Sequence, residues 1–267
     1  MQKSRSNWIL FFLITFFTSG IVVMSFAFYR INLVKKQKDA RFNLTKIVQT
    51  TLKNDHLPNR VFCELLNLSQ DRPVNFYHFS TKKAKGCLEQ FFLVKTADVK
   101  KMYPDTVFID YTIRNPIAFI EDFDNLSIDE EDVVFPFLPY FSQKDLPRFY
   151  LGIRSCKIGK SLQSKRLDLA KITLQCMVKY MQIMHLFIDT SKAFDESFGK
   201  REVVVTFDEI QKSAQEVHTV AWQLRLNPKK IKSQIHLFLQ LKKEMKTSQE
   251  RRVIDLRMDG LILVPKN

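Results

Sequence analysis

The rhythm of hydrophobic and polar positions changes along the chain, and the first change is the sharpest. From Trp8 to Tyr29 no residue is charged, and Phe, Leu, Ile and Val dominate. About 20 apolar residues at a rise of roughly 1.5 Å cross the hydrocarbon core of a bilayer, so 8–29 predicts a transmembrane helix behind a short tail, 1–7. Trp8 and Tyr29 stand at its ends, where amphipathic rings favour the interface. Ser25-Phe26-Ala27 offers the small residues of a signal-peptidase site, but the apolar run exceeds the usual roughly 7–15 residues of a cleaved leader, which favours an anchor. Residues 30–44 read as a basic linker.

Beyond the linker the pattern predicts an α+β chain in two parts, 45–115 and 116–267. In the first, Thr45–Leu52 alternates weakly, as an edge strand does. Leu57, Val61, Leu65 and Leu68 then share a helical face, with Pro58 in the first turn. After a loop over Ser69–Phe79, Ser80 is placed to cap a second helix running to Gln90. Strands follow at Leu93–Met102 and Thr106–Arg114, and in the latter Val107, Ile109, Tyr111 and Ile113 share a face. The predicted order is β-α-α-β-β. The second part shows strand-like runs at Val133–Leu138, Phe149–Ile153 and Val203–Phe207. It also shows a helix over Leu169–Met184, with Leu169, Ile172, Cys176, Tyr180 and Ile183 on one stripe. A further helix, Pro228–Met245, has Asn227 as N-cap and Ile231, Ile235 and Phe238 on its apolar face. A short strand, Gly260–Val264, precedes Pro265.

Composition changes this picture little. The 267 residues carry 24 Phe and only six Gly and nine Pro, ample for a core and unlike a disordered chain. Net charge is +14, and all basic residues but Lys3 and Arg5 lie at or beyond residue 30. A basic surface attracts any polyanion. The positive residues are scattered and no zinc-finger, RRM or KH signature occurs, so nucleic-acid binding is not expected.

Candidate chemistry is sparse. Ser80-Thr81-Lys82-Lys83 fits S-x-x-K, the acyl-transfer motif of penicillin-recognising enzymes, but the S-x-N and K-T-G elements are missing, and a helix cap is the simpler role for Ser80. The five His are not spaced as ligands, so neither a metal nor another cofactor is expected. The acidic run Glu121–Asp132 begins like a calcium loop and then lacks its Gly and distal Glu, which leaves a solvated loop as the expectation. Of Cys63, Cys87, Cys156 and Cys176, the first two fall on the two predicted helices of the first part, where either a disulfide or free thiols fit.

Several local patterns, taken in order, resemble the FtsQ/DivIB family of bacterial cell-division proteins. Phe92-Leu93-Val94-Lys95-Thr96-Ala97-Asp98-Val99 is similar to the family's V-x-x-A-x-V strand, and Tyr103-Pro104-Asp105-Thr106 to the turn after it. Ile113-Arg114-Asn115-Pro116-Ile117-Ala118 resembles the E-R-x-P-V-A run that closes a POTRA domain, with Ile113 where Glu is usual. Leu138-Pro139 and Ile254-Asp255-Leu256-Arg257 resemble a Leu-Pro pair and an I-D-L-R strand of the second domain, although the family's D-x-x-G glycine is missing after Asp129.

The resemblance implies a non-catalytic, single-pass protein of the cytoplasmic (inner) membrane, N-terminus inside, with a POTRA domain over 45–115 and a β domain over 116–267. It implies binding of FtsB- and FtsL-type single-span partners and regulation of septal peptidoglycan synthesis. The flanking charges oppose this orientation, because Arg30, Lys35, Lys36, Lys38 and Arg41 outnumber Lys3 and Arg5. By resemblance, the partner site is the last strand, with Met258, Gly260, Leu261, Ile262, Leu263 and Val264, flanked by Arg201 and Arg257. A membrane-anchored enzyme acting on peptidoglycan is the alternative expectation, and a POTRA-bearing translocation accessory a third.

Overall fold

A computed structural model describes the chain except residues 1, 52–55, 70, 182, 213–216, 245–251 and 259–267. It divides into two compact units, Met1–Thr112 and Ile113–Asn267.

In the first unit, helix α1 (Gln2–Lys38) runs unbroken through the apolar segment. Its stretch Ile14–Lys38 is long and apolar enough to cross a membrane, and none of its apolar window is packed inside the unit. The helix continues to Lys38, so the basic residues 30–38 are helical where a linker is expected from sequence. A 3-10 turn, Ala40–Phe42, follows, capped by the Asp39 carboxylate, which accepts from the Arg41 N–H at 3.0 Å.

Then come β1 (Lys46–Thr51), α2 (Asn59–Leu65), α3 (Thr81–Gln90), β2 (Val94–Met102) and β3 (Thr106–Ile113), in the predicted β-α-α-β-β order. The sheet order is β1-β3-β2, with β1 parallel to β3 and Lys46 opposite Thr106. The short turn between β2 and β3 makes that pair antiparallel. Val107, Ile109, Tyr111 and Ile113 alternate inward and are buried, as their period of two requires.

Against them pack Phe62 of α2 and Leu88 of α3, both fully buried. The Tyr111 hydroxyl accepts from the Leu57 N–H at 2.9 Å and donates to Gln49 Oε1 at 2.8 Å, which ties β3 to β1 and to the start of α2. Burial raises its pKa. Helix α2 is shorter than its apolar stripe suggests, because Asn67 adopts a left-handed φ of 51° and the Leu68 N–H bonds back to the Cys63 carbonyl. Its deepest residue is Phe62, while Val61, Leu65 and Leu68 are half-buried.

The second unit is one eight-stranded mixed sheet with helices packed on it. Its strands are β4 (Ala118–Ile120), β5 (Leu126–Ile128), β6 (Val134–Pro136), β7 (Arg148–Tyr150), β8 (Ile183–Asp189), β9 (Val203–Lys212), β10 (Val217–Leu226) and β11 (Arg252–Asp255). Their order is β11-β10-β9-β8-β7-β4-β5-β6. Helices α4 (Lys165–Tyr180) and α5 (Ile231–Glu244) complete it, and Phe149, Ile188, Val205, Trp222 and Phe238 lie fully buried in the core.

The apolar face of α5 is the predicted one, with Ile231, Ile235 and Phe238 buried. Asn227 caps the turn before that helix rather than the helix itself, accepting from the Lys229 N–H at 3.0 Å. Helix α4 departs from expectation. Its buried face is Leu167, Ala170, Thr173 and Met177, while Ile172 is exposed and Ile183 already belongs to β8. Ser164 starts the helix early by accepting from the Arg166 N–H at 3.3 Å, and this start places Leu167 in the first buried position.

The acidic run 121–132 is a second correction, because three of its carboxylates bind the fold rather than solvent. Asp122 accepts from the N–H groups of Leu151 and Ile153, each at 2.7 Å. Asp129 is buried, accepts from the N–H groups of Glu131 and Val133, and pairs with Arg114 at 2.6 Å. Asp132 pairs with Lys171 at 2.6 Å.

Candidate functional site: the outer edge of the large sheet

Strand β11 ends the eight-stranded sheet, and among the described residues no strand pairs with its outer side. It lies parallel to β10, with Leu224 opposite Ile254 and Arg225 opposite Asp255. The Leu256 N–H donates to the Arg225 carbonyl at 2.9 Å. Both backbone polar groups of a strand residue point to one side and alternate along the strand, so Arg252 and Ile254 face β10, and Val253 and Asp255 turn their N–H and C=O outward. Unpaired groups on a sheet edge are a template for an incoming strand. Ile254 and Leu256, fully or almost fully buried, fix the register by anchoring the strand to the core.

At the C-terminal end of β11 lies a charged corner. Glu202, 6% exposed at its side chain, pairs with Arg225 at 2.8 Å, Arg257 at 3.3 Å and, more loosely, Lys192 at 3.7 Å. Asp255 pairs with Arg257 at 2.7 Å. Burial pushes the Asp255 carboxyl up, but hydrogen bonds from the Arg257 guanidinium and N–H, with the charges of Arg257 and Arg225, leave it below the ordinary aspartate value. The hydrogen bond to Asp255 is likewise the main cause that raises Arg257.

Arg201 and Arg257, separate in sequence, meet at this corner. Arg257 Nη1 lies 3.4 Å from the Gly199 carbonyl, in the 3-10 turn just before Arg201. Their states differ. Arg257 is held by Asp255 and Glu202. Arg201 donates from Nε to the Asp195 carbonyl at 2.6 Å and lays its guanidinium 3.9 Å from the centre of the Phe198 ring. Phe198 is 75% exposed and Met258 63% exposed, so apolar and cationic surface meet there. Of the residues expected at the last strand, Met258 lies in the bend after β11; Gly260, Leu261, Ile262, Leu263 and Val264 lie outside the described residues.

Other candidates have structural roles. The Ser80 hydroxyl accepts from the Lys83 N–H at 3.4 Å, so the two ends of the S-x-x-K run meet through a helix cap. Cys63, Cys87, Cys156 and Cys176 are free thiols, and burial first, then Asp122, raises that of Cys156. Among the described residues no group of three His, Cys, Asp or Glu could hold a metal ion. A cavity of about 540 Å³ opens beside β4 and is lined by Phe119, Phe123, Phe137 and Leu138, with the Glu121–Arg148 ion pair at its rim. In comparison with known proteins, the sequence matches no family model and no curated protein.

Proposed function

We propose that this chain is a membrane-anchored scaffold that works by binding rather than by catalysis. It captures an extended segment of a single-span partner on the outer edge of β11. The observation that carries this reading is that edge: β11 presents the backbone groups of Val253 and Asp255 outward beside a corner of Arg201, Arg257 and Phe198. Backbone pairing supplies affinity, and the corner selects a partner with an acidic residue and an apolar anchor. The particular role proposed is that implied by the FtsQ/DivIB resemblance: a divisome component of the inner membrane, its folded units outside the cytoplasm, binding FtsB- and FtsL-type proteins. The apolar α1 and the β-α-α-β-β order of the first unit support that reading.

The test is a pull-down of an FtsB-type partner by the full chain. Val253→Pro removes an outward amide donor and leaves the β10 ladder intact, so it should abolish capture from a folded protein. Arg201→Glu, which leaves the Arg257 ion pairs with Glu202 and Asp255 in place, should weaken capture by a folded protein. Normal capture by both variants would retire the site. An alkaline-phosphatase fusion after Asn267 should be active, and an inactive fusion would retire the orientation.

A further inference from the structure

The basic residues that follow the apolar segment are part of a built surface. α1 does not end in a loose linker: it runs to Lys38, and the buried Asn75 side chain donates to the Lys36 carbonyl at 3.2 Å and the Asp39 carbonyl at 3.3 Å. Asn75 Oδ1 in turn accepts from the Tyr77 N–H at 2.9 Å, and the Phe76 N–H donates to the Phe42 carbonyl at 2.7 Å. The segment 73–79 is thereby fastened to the end of the helix.

Four rings gather at this joint. Phe42 lies 5.4 Å from Tyr77 and 5.6 Å from Tyr103, and Phe76 lies 5.4 Å from Tyr77 and 6.1 Å from Tyr103. Tyr103 is 66% exposed, and its neighbour Met102 is exposed too. Cations interleave with the rings. Lys36 stands over Tyr77, and Lys101 stands 4.8 Å over Phe76 while donating to the carbonyls of Phe76 and Phe79. Lys35, Lys38, Arg41 and Lys46 are exposed around them, against Asp39, which Arg41 engages at 2.7 Å.

We infer that this aromatic and basic joint is a lipid-binding surface that seats the first unit on anionic phospholipid headgroups of the bilayer crossed by α1. The inference rests on the membrane-anchor reading and is independent of the partner site. Geometry supplies the occupant. The membrane-competent stretch of α1 runs on to Lys38 with Ile31 and Val34 exposed on it, and a span ending at Val34 puts Lys35 to Lys38 about 2–6 Å further along the helix, within a headgroup layer about 5–8 Å thick. Amphipathic rings favour that layer, and lysine stems let the ammonium groups meet phosphates while their methylenes lie on apolar surface. The rigid joint means that ordering α1 in a membrane presents Met102, Tyr103 and the cations together. Basic residues close to the span are thus assigned to headgroups, on whichever face of the membrane the unit lies.

The test uses the full chain reconstituted into nanodiscs of phosphatidylcholine alone, or of equal parts phosphatidylcholine and phosphatidylglycerol. Acetylation of Lys35 and Lys38 and oxidation of Met102 are followed by mass spectrometry, with exposed Met258 as the reference. In the anionic discs the three sites should react about threefold or more slowly, and added salt should remove the difference. Lys35→Gln with Lys36→Gln and Lys38→Gln should abolish the protection of Met102 and leave Met258 unchanged. Equal rates in both lipids, or protection that survives the triple change, would overturn the lipid surface with the anchor intact. Failure to enter the discs at all would overturn the anchor.

Discussion

Two charged clusters of the second unit use the same side chains for different ends. At Arg114 the main partner is buried Asp129, with half-exposed Glu131 on the outer side at 3.0 Å. Asp129 pairs with the guanidinium and accepts two backbone N–H groups, so the cluster closes the loop before β6. At Arg257 the carboxylates are also largely hidden, but the cluster sits at the end of the outermost strand among the described residues, beside exposed Phe198 and Met258. The first cluster serves to hold a loop of the fold. The second leaves cationic and aromatic surface where a partner strand would run. An ion pair therefore reports function by what lies beside it, and seldom by its own strength.

Removing Arg114 should have the largest effect. Arg114→Ala leaves Asp129 buried without its countercharge and should cost about 3 kcal/mol or more of stability, read by denaturant unfolding. Partner capture by the remaining folded protein should persist.

Next in size are two proline changes on β11, which separate its faces. Ile254→Pro removes an inward donor and should cost about 3 kcal/mol, while Val253→Pro should cost much less and still abolish capture. Similar losses of stability from both would contradict the assigned register.

Acid should act on the second cluster through Asp255. Its folded pKa is depressed, so its contribution is fully present above the unfolded value of about 3.9 and disappears as pH falls through the lower folded value. The difference in Tm between the parent chain and Asp255→Asn should be constant from neutral pH down to about 4 and shrink below it. A difference that vanishes near neutrality would place the stabilisation elsewhere.

The smallest effect is expected at Ser80→Ala, about 1 kcal/mol from the lost cap, with capture unchanged. A covalent β-lactam adduct on Ser80 would instead favour an enzyme.

Much of the first unit was legible because its signals are local. Val107, Ile109, Tyr111 and Ile113 alternate, Ser80 precedes a helix, and the apolar run names α1. The second unit hid more. β4 and β5 are three residues long, too short for a period to show, while β7 overlaps the start of the strand-like run Phe149–Ile153. The start of β8 mimics the end of α4, because Ile183 continues an apparent helical stripe. β10 carries a legible period of two, with Val220, Trp222, Leu224 and Leu226 all buried. The site was half visible. Arg201 and Arg257 were named from resemblance, but Glu202, Arg225 and Asp255 as their partners depend on cross-strand register, which no local pattern encodes. The carboxylates of 121–132 looked solvated because composition does not show which backbone N–H groups a side chain will meet.

The claim that the β11 edge receives a partner strand is tested most directly by placing a photo-crosslinking residue at Val253 in the full chain, in its own membranes. The account predicts a crosslinked product with a small single-span protein, diminished in the Arg201→Glu background. Crosslinks confined to the chain itself, or undiminished in that background, would contradict it.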